Sequence, residues 1–224
     1  MTAATAPWLV VGLGNPGLRY AGNRHNIGFM AVDRLCDRQS PPPSWSEKWK
    51  GLHASVRVGG ERCVLLKPMT YMNLSGECVG PAARFFRVPP TQLLVIHDEV
   101  DFPFARLAVK RGGGHGGHNG LRDLIAKLGT AEFPRIRLGV GRPVHGEVSD
   151  HVLSDFSSDE QIELPDLLDR AVEALSCVVR EGVTAAMNRC NTPTKKKKPG
   201  SPKKSSAPAG EPAAPDPREP DPSS

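Results

Sequence analysis

Apolar positions recur along the chain at two spacings. Trp8–Val11 is a short apolar run closed by Gly12, the pattern of a buried strand. Ile27, Met30, Ala31 and Leu35 stand at helical intervals and predict a helix over 27–38. HASVRV and ERCVLL (53–66) are β-prone runs on either side of Gly59-Gly60, a hairpin signal. SGECVGPAARFF (75–86) predicts a helix after Ser75, with Pro81 expected to kink it or delay its start. QLLVIHDEVD (92–101) is a buried strand running into acids, and RLAVKR (106–111) alternates as a strand. GGGHGGHNG (112–120) is loop. A helix over 120–129 follows, with Asn119 as its expected N-cap and Gly129 as its stop. RIRLGVG (135–141) is a strand, and Ser157 with Glu160 forms a capping-box pattern opening a long helix to about residue 180. Strands and helices alternate, which predicts an α/β domain with a mostly parallel or mixed twisted sheet flanked by helices.

Composition divides the chain. From Asn191 onward Pro, Ser, Lys and Ala dominate, and Val, Ile, Leu and aromatic residues are absent. Such a segment cannot bury enough apolar surface to offset its ordering entropy. Residues 1–190 are therefore expected to be one folded domain and 191–224 a disordered basic tail. The tail carries seven Lys/Arg against four Asp/Glu, and the body 22 against 20. Either the tail meets a polyanion such as RNA or it is only a solvated extension; charge alone leaves both open. Five cysteines without a C-x-x-C pair indicate neither a disulfide framework nor a zinc site, so reduced thiols and a cytoplasmic location are expected. No apolar run approaches the roughly 20 residues that span a bilayer, and no targeting peptide is visible before the first strand.

Gly12-x-Gly14-x-x-Gly17 has dinucleotide-loop spacing. That reading also requires a helix opening inside the loop and an acid ending a second strand about 20 residues on. Here Pro16 follows Asn15, and Asp33 and Asp37 lie within a helical pattern. The loop is read instead as a sharp turn holding Asn15 at a crevice. Arg24-His25-Asn26 precedes a helix, Met72-Asn73 marks a strand-to-helix junction, Asp98 ends a strand, and His118-Asn119 opens a helix. Taken singly, each is as well explained by a cap or a turn. All of them fall where strands end or helices begin, and a parallel centre would gather those ends at one edge. The set lacks a nucleophilic Ser or Cys and a cluster at metal-ligand spacing. It suits hydrolysis by water, with His25 as base, Asp98 orienting it, and Asn amides reading substrate without added charge.

GLGNPGxxYxxxRHNxGxxxxD, KPxTxMNxSG, HDExD and GGGxxGHNGLRD, in this order, resemble the bacterial-type peptidyl-tRNA hydrolase family over about residues 8–188. The resemblance implies a single α/β domain, a mixed twisted sheet wrapped by helices. It implies cleavage of the ester joining a peptide to the 3′-terminal adenosine of tRNA, with contacts to the acceptor stem and CCA end. No metal and no cofactor are implied, and the protein is expected to act as a monomer. By motif position His25 is the base, Asp98 its partner, and Asn15 the residue that distinguishes N-blocked from free aminoacyl groups. Tyr20, Tyr71, Asn73 and Asn119 match substrate contacts, Met72 and His118 line the cleft, and Lys110 and Arg137 match a phosphate clamp. Tyr71 stands where the family often has Phe. The competing reading is a non-catalytic RNA-binding relative of the same fold that assists splicing.

Overall fold

The computed structural model describes residues 6–191, so the expectation for the tail lies outside the described residues apart from Asn191. The strands are β1 (Trp8–Gly12), β2 (Ser46–Lys48), β3 (Gly51–Val58), β4 (Glu61–Pro68), β5 (Leu93–Glu99), β6 (Leu107–Arg111) and β7 (Pro134–Gly139). The helices are α1 (Ile27–Asp37), α2 (Gly76–Phe85), α3 (Asn119–Leu128), α4 (Val148–Val152), α5 (Ser158–Glu181) and α6 (Val183–Cys190). The sheet order is β2-β3-β4-β1-β5-β7-β6. β4, β1, β5 and β7 run parallel, while β2, β3 and β6 join antiparallel at the edges. The sheet is therefore mixed, with a parallel centre.

Period-two alternation splits the core between the two faces. Val10, Leu94, Ile96, Ile136 and Leu138 pack beneath α1, α5 and α6. Leu9, Val11, Leu93 and Val95 pack with residues of α2 and α3 on the other face. Each such fully buried side chain contributes roughly 1.5–3 kcal/mol. On β7, Arg135 is buried, its guanidinium donating to the carbonyls of Gly113, Gly114 and Ala131. Arg135 thereby fixes the glycine-rich loop ahead of α3.

Two local expectations change. α2 begins at Gly76 and runs through Pro81 to Phe85, so the proline does not delay its start. The cost is the one helical hydrogen bond, to the Glu77 carbonyl, that Pro81 cannot donate. The N-cap of α3 is His118 rather than Asn119: Nδ1 of His118 accepts from the backbone N–H of Gly120 at 3.1 Å and Leu121 at 3.3 Å. Asn119 is the first helical residue, and its Oδ1 accepts from Arg122 at 2.6 Å. The Ser157–Glu160 capping box forms as expected.

Beyond the sequence pattern, Asn191 pairs with the free edge of β6, bonding both the N–H and the carbonyl of Val109. All five cysteines are free thiols, four of them buried. Among the described residues no helix is long and apolar enough to cross a membrane.

Candidate active site

The glycines after β1 serve packing. A Cβ on Gly12 would lie 2.3 Å from the Gly28 carbonyl oxygen, and one on Gly14 would lie 2.7 Å from the Phe29 ring. A Cβ on Gly28 would in turn meet Leu13 and Ile96 backbone at 2.4–2.5 Å. The missing side chains let α1 sit directly on the end of β1, and no pyrophosphate is needed to explain them.

That contact fixes Asn15. Its backbone N–H donates to Asn26 Oδ1 at 2.8 Å, and Asn26 Nδ2 returns a bond to the Asn15 carbonyl at 2.9 Å. Asn15 Oδ1 accepts from the Met72 N–H at 2.8 Å. This assigns the amide: the oxygen is held, and Nδ2 supplies the donors available to a bound molecule.

His25 lies in the 3₁₀ turn Arg24–Asn26 that leads into α1. The turn is anchored by Arg24, buried, which bonds Glu160 at 2.5 Å, Ser154 Oγ at 2.7 Å and the Asp155 carbonyl. Glu160 also accepts from the Ser157 N–H in the capping box, so the start of α5 braces the turn carrying His25. Asn23 Nδ2 adds a bond to Asp155 Oδ1 at 2.6 Å.

Asp98 is the penultimate residue of β5 and is 3% exposed. Its Oδ1 receives two imidazoles, His25 Nδ1 at 2.8 Å and His118 Nε2 at 3.0 Å. His25 arrives from the face covered by α1 and His118 from the N-terminus of α3 on the other face. Because His118 Nδ1 accepts backbone N–H groups, its proton sits on Nε2 and donates to Asp98. With Asp98 ionised, His25 Nδ1–H donates as well, which leaves His25 Nε2 with a lone pair. Burial pushes the Asp98 carboxyl up, but the electrostatic attraction and hydrogen bonds of His25 and His118 outweigh it and hold the acid well below its ordinary value.

Behind them stands His97, 2% exposed, with Nδ1 2.7 Å from the Asp98 carbonyl oxygen and its ring edge-on to His118 at 5.0 Å. Burial first, then His118, lowers its pKa to about 3, so His97 is neutral near pH 7. The sequence pattern does not single out His97, Asn26 or Arg24. All three lie inside quoted motifs, and only their burial with polar partners reveals their part.

The expectation that no His/carboxylate cluster exists is corrected: ligand atoms of His25, Asp98 and His118 lie within 4.8 Å of one another. Their hydrogen bonds account for the cluster. The His118 nitrogen nearest Asp98 carries the proton, and an N–H is no metal ligand.

The structure thus brings together His25, Asp98, Asn15, Met72 and His118. Met72 is buried, and a Cβ on Gly120 would touch its sulfur at 2.6 Å and His118 Cε1 at 3.2 Å. Tyr71, Asn73 and Asn119 are exposed on the adjoining turns, and Tyr20 is half-buried under the Arg19 guanidinium at 4.5 Å. Lys110 and Arg137 lie on the same face of the β6–β7 pair, where Ala108 is opposite Arg137 and Lys110 opposite Arg135. Arg137 donates to Glu99 at 2.8 Å and stacks over Phe102 at 4.3 Å, so its charge is partly engaged.

Against known proteins, the sequence profile described as peptidyl-tRNA hydrolase matches residues 9–199. The peptidyl-tRNA hydrolase of Sorangium cellulosum is 53% identical over 195 residues, 86% of each chain. That of Geobacter sulfurreducens is 48% identical over 183 residues, covering 82% of this chain and 94% of its own. The crystal structure of peptidyl-tRNA hydrolase from Acinetobacter baumannii superposes with a TM-score of 0.78 at 38% identity, covering 86% of this chain and 98% of that one. Sequence and fold agree over essentially all of the described residues, and the chain belongs to the peptidyl-tRNA hydrolase family.

Proposed function

We propose that this chain hydrolyses peptidyl-tRNA with His25 as the general base of an activated-water mechanism. His25 Nε2 takes a proton from water, and the oxygen attacks the ester carbonyl. Asp98, bound to the opposite ring nitrogen, fixes the tautomer and stabilises the imidazolium as it forms. The tetrahedral intermediate breaks its bond to the 3′-oxygen of the terminal adenosine. That oxygen recovers the proton from His25, and peptide carboxylate and tRNA leave. Asn73 and Asn119, neutral and exposed at the mouth, serve as donors to substrate oxygens. Met72 and His118 form the wall, Tyr20 and Tyr71 offer rings to the substrate, and Lys110 and Arg137 meet phosphate. The observation carrying this reading is the 2.8 Å contact between His25 Nδ1 and the buried Asp98. With that pair assembled, a purely RNA-binding role of the splicing type is not favoured.

Asn15 explains selectivity. A blocked amino acid presents the carbonyl of its acyl group, which Asn15 Nδ2 can bond. A free aminoacyl ester presents an ammonium there, which brings donors against a donor in a partly desolvated place.

The test is incubation with N-acetyl-aminoacyl-tRNA and with free aminoacyl-tRNA, both with EDTA. Rapid release from the blocked substrate alone is expected. Equal release from both refutes the role of Asn15, and loss of release with EDTA refutes a metal-independent base.

A further inference from the structure

A second concentration of cations lies at the end of α2 away from the crevice. β2 and β3 join through Trp49 and Lys50, both left-handed with φ of 52° and 57°. Gly, Asn and Asp enter that conformation at lower cost. Arg87, just past the end of α2, has φ 53°, at a helix terminus usually given to Gly.

The turn seats the Trp49 ring against Phe85 at 5.0 Å and Phe86 at 5.4 Å, with Lys48 Nζ 4.2 Å over Phe85. Phe85 nevertheless remains 59% exposed. Arg84, its neighbour along α2, lines a cleft of about 330 Å³ together with Arg87 and Lys127. Sharing Arg84 and Lys127, it continues into a second, of about 360 Å³, that reaches Lys50 and Gly76. Arg84, Arg87 and Lys127 form no ion pair among the described residues. Among the described residues Glu77 is the one acid lining either cleft; Lys50 holds it at 2.8 Å, and Lys127 adds a weaker attraction.

Helix C-termini favour cations, which accounts for Arg84 and Lys127 one at a time. It does not account for an exposed phenyl ring next to Arg84 in the chain, or for an arginine held in a left-handed position.

We propose that this surface is a second RNA-binding site, which holds backbone phosphates in the Arg84–Arg87–Lys127 cleft and stacks a base on Phe85. Unpaired cations with an aromatic platform bind nucleic acid through charge and base stacking together. A carboxylate-rich protein would use the charge and leave the ring idle. The second cleft reaches Gly76, at the end of α2 that starts beside the crevice. Gly76 follows the 3₁₀ turn Met72–Leu74, and the ten residues of α2 span about 15 Å, so one RNA can occupy both. The proposal takes tRNA as ligand from the hydrolase reading, but its test reads binding, so either can fail alone.

The experiment measures binding of deacylated tRNA to the full chain by fluorescence anisotropy at several salt concentrations. Arg84→Glu with Arg87→Glu is expected to raise Kd at least tenfold and flatten the salt dependence by one to two phosphate contacts, about 0.7–0.9 in slope for each. Phe85→Ala and Phe85→Leu, at an exposed position, are expected to raise Kd at least about fivefold with the slope unchanged. kcat on peptidyl-tRNA should hold in all of these. A control pair of equal charge change, Arg57→Glu with Arg62→Glu on the β3–β4 hairpin, should move Kd far less. Equal effects of the two charge reversals, or unchanged Kd in the Phe85 variants, overturn the proposal.

Discussion

Asp98 and Glu99 are neighbours on β5, yet they belong to two different regions. The Asp98 carboxylate is buried, and both partners that reach it are imidazoles: His118, whose other nitrogen is held by backbone N–H groups, and His25, carried on a turn that Arg24 braces. Glu99 faces Arg137, and that pair stays in partial contact with water, at 13% and 24% side-chain exposure. In the crevice the position of a proton is set by neighbours, so exchanging one atom changes the chemistry. At the rim charge acts as a sum, screened by salt and shared among residues. Loss in the crevice should therefore appear in kcat and be insensitive to salt. Loss at the rim should appear in KM and vanish at high salt.

The crevice is broken most directly at its base. His25→Ala should lower kcat on N-acetyl-aminoacyl-tRNA by about 10³-fold or more. Asp98→Asn should cost at least about 10²-fold, because the new NH₂ lets the His25 ring adopt the wrong tautomer. The double variant should be scarcely worse than His25→Ala, as groups acting as one unit are not additive. Single-turnover rates, with circular dichroism to confirm folding, check this. If Asp98→Asn changes only KM, crevice and rim do not differ as argued.

Acid stability separates the regions a second way. A free His titrates near 6.5, whereas His97 is held to about 3 by burial. As pH falls below 6.5 the unfolded chain takes a proton that the folded chain refuses. The contribution of neutral His97 is thus complete above 6.5 and is lost toward pH 3, at up to about 1.4 kcal/mol per unit. Asp98 is likewise held below its ordinary value, but its window lies lower: its contribution is present above about 3.8 and is lost only below it. Between pH 7 and 5 wild type should therefore lose about 2 kcal/mol that His97→Phe keeps, measured by urea unfolding. An identical loss in both proteins would place the acid sensitivity elsewhere.

What could be read from sequence follows the same division. The parallel centre was legible because its strands are apolar runs closed by glycine or acids, and the ends of those strands located His25 and Asp98. β2 was not legible. Ser46, Glu47 and Lys48 are all exposed, and the strand exists only because the Trp49–Lys50 turn folds it onto β3. The cap of α3 was misplaced because Asn is the commoner cap, while His118 takes the place through a tautomer that Asp98 stabilises. His97 was passed over because alternation cannot tell a neutral buried imidazole from another apolar strand residue. The Asn15–Asn26 cross-link depends on Gly12, Gly14 and Gly28 meeting in space, and no spacing rule contains that.

A milder change tests reading rather than chemistry. Asp at position 15 can still accept from the Met72 N–H, but it replaces the Nδ2 donors with an acceptor. Asn15→Asp should lower kcat/KM for the blocked substrate and raise it for free aminoacyl-tRNA, narrowing their ratio by about tenfold or more. An unchanged ratio would move selectivity to another group.

The smallest effects belong to the rim, and their sign is informative. Lys110→Gln should raise KM a few-fold at low salt, with kcat fixed and the salt slope reduced by about 0.9. Glu99→Gln should act in the opposite direction. It releases Arg137 from its 2.8 Å partner and removes one negative charge beside the expected phosphate. KM should then fall about twofold at low salt and return to the wild-type value as salt rises. Were Glu99 part of the catalytic unit proposed for its neighbour, the same substitution would lower kcat at every salt concentration. A single steady-state titration of Glu99→Gln at low and high salt therefore decides whether the boundary between the two regions falls between residues 98 and 99.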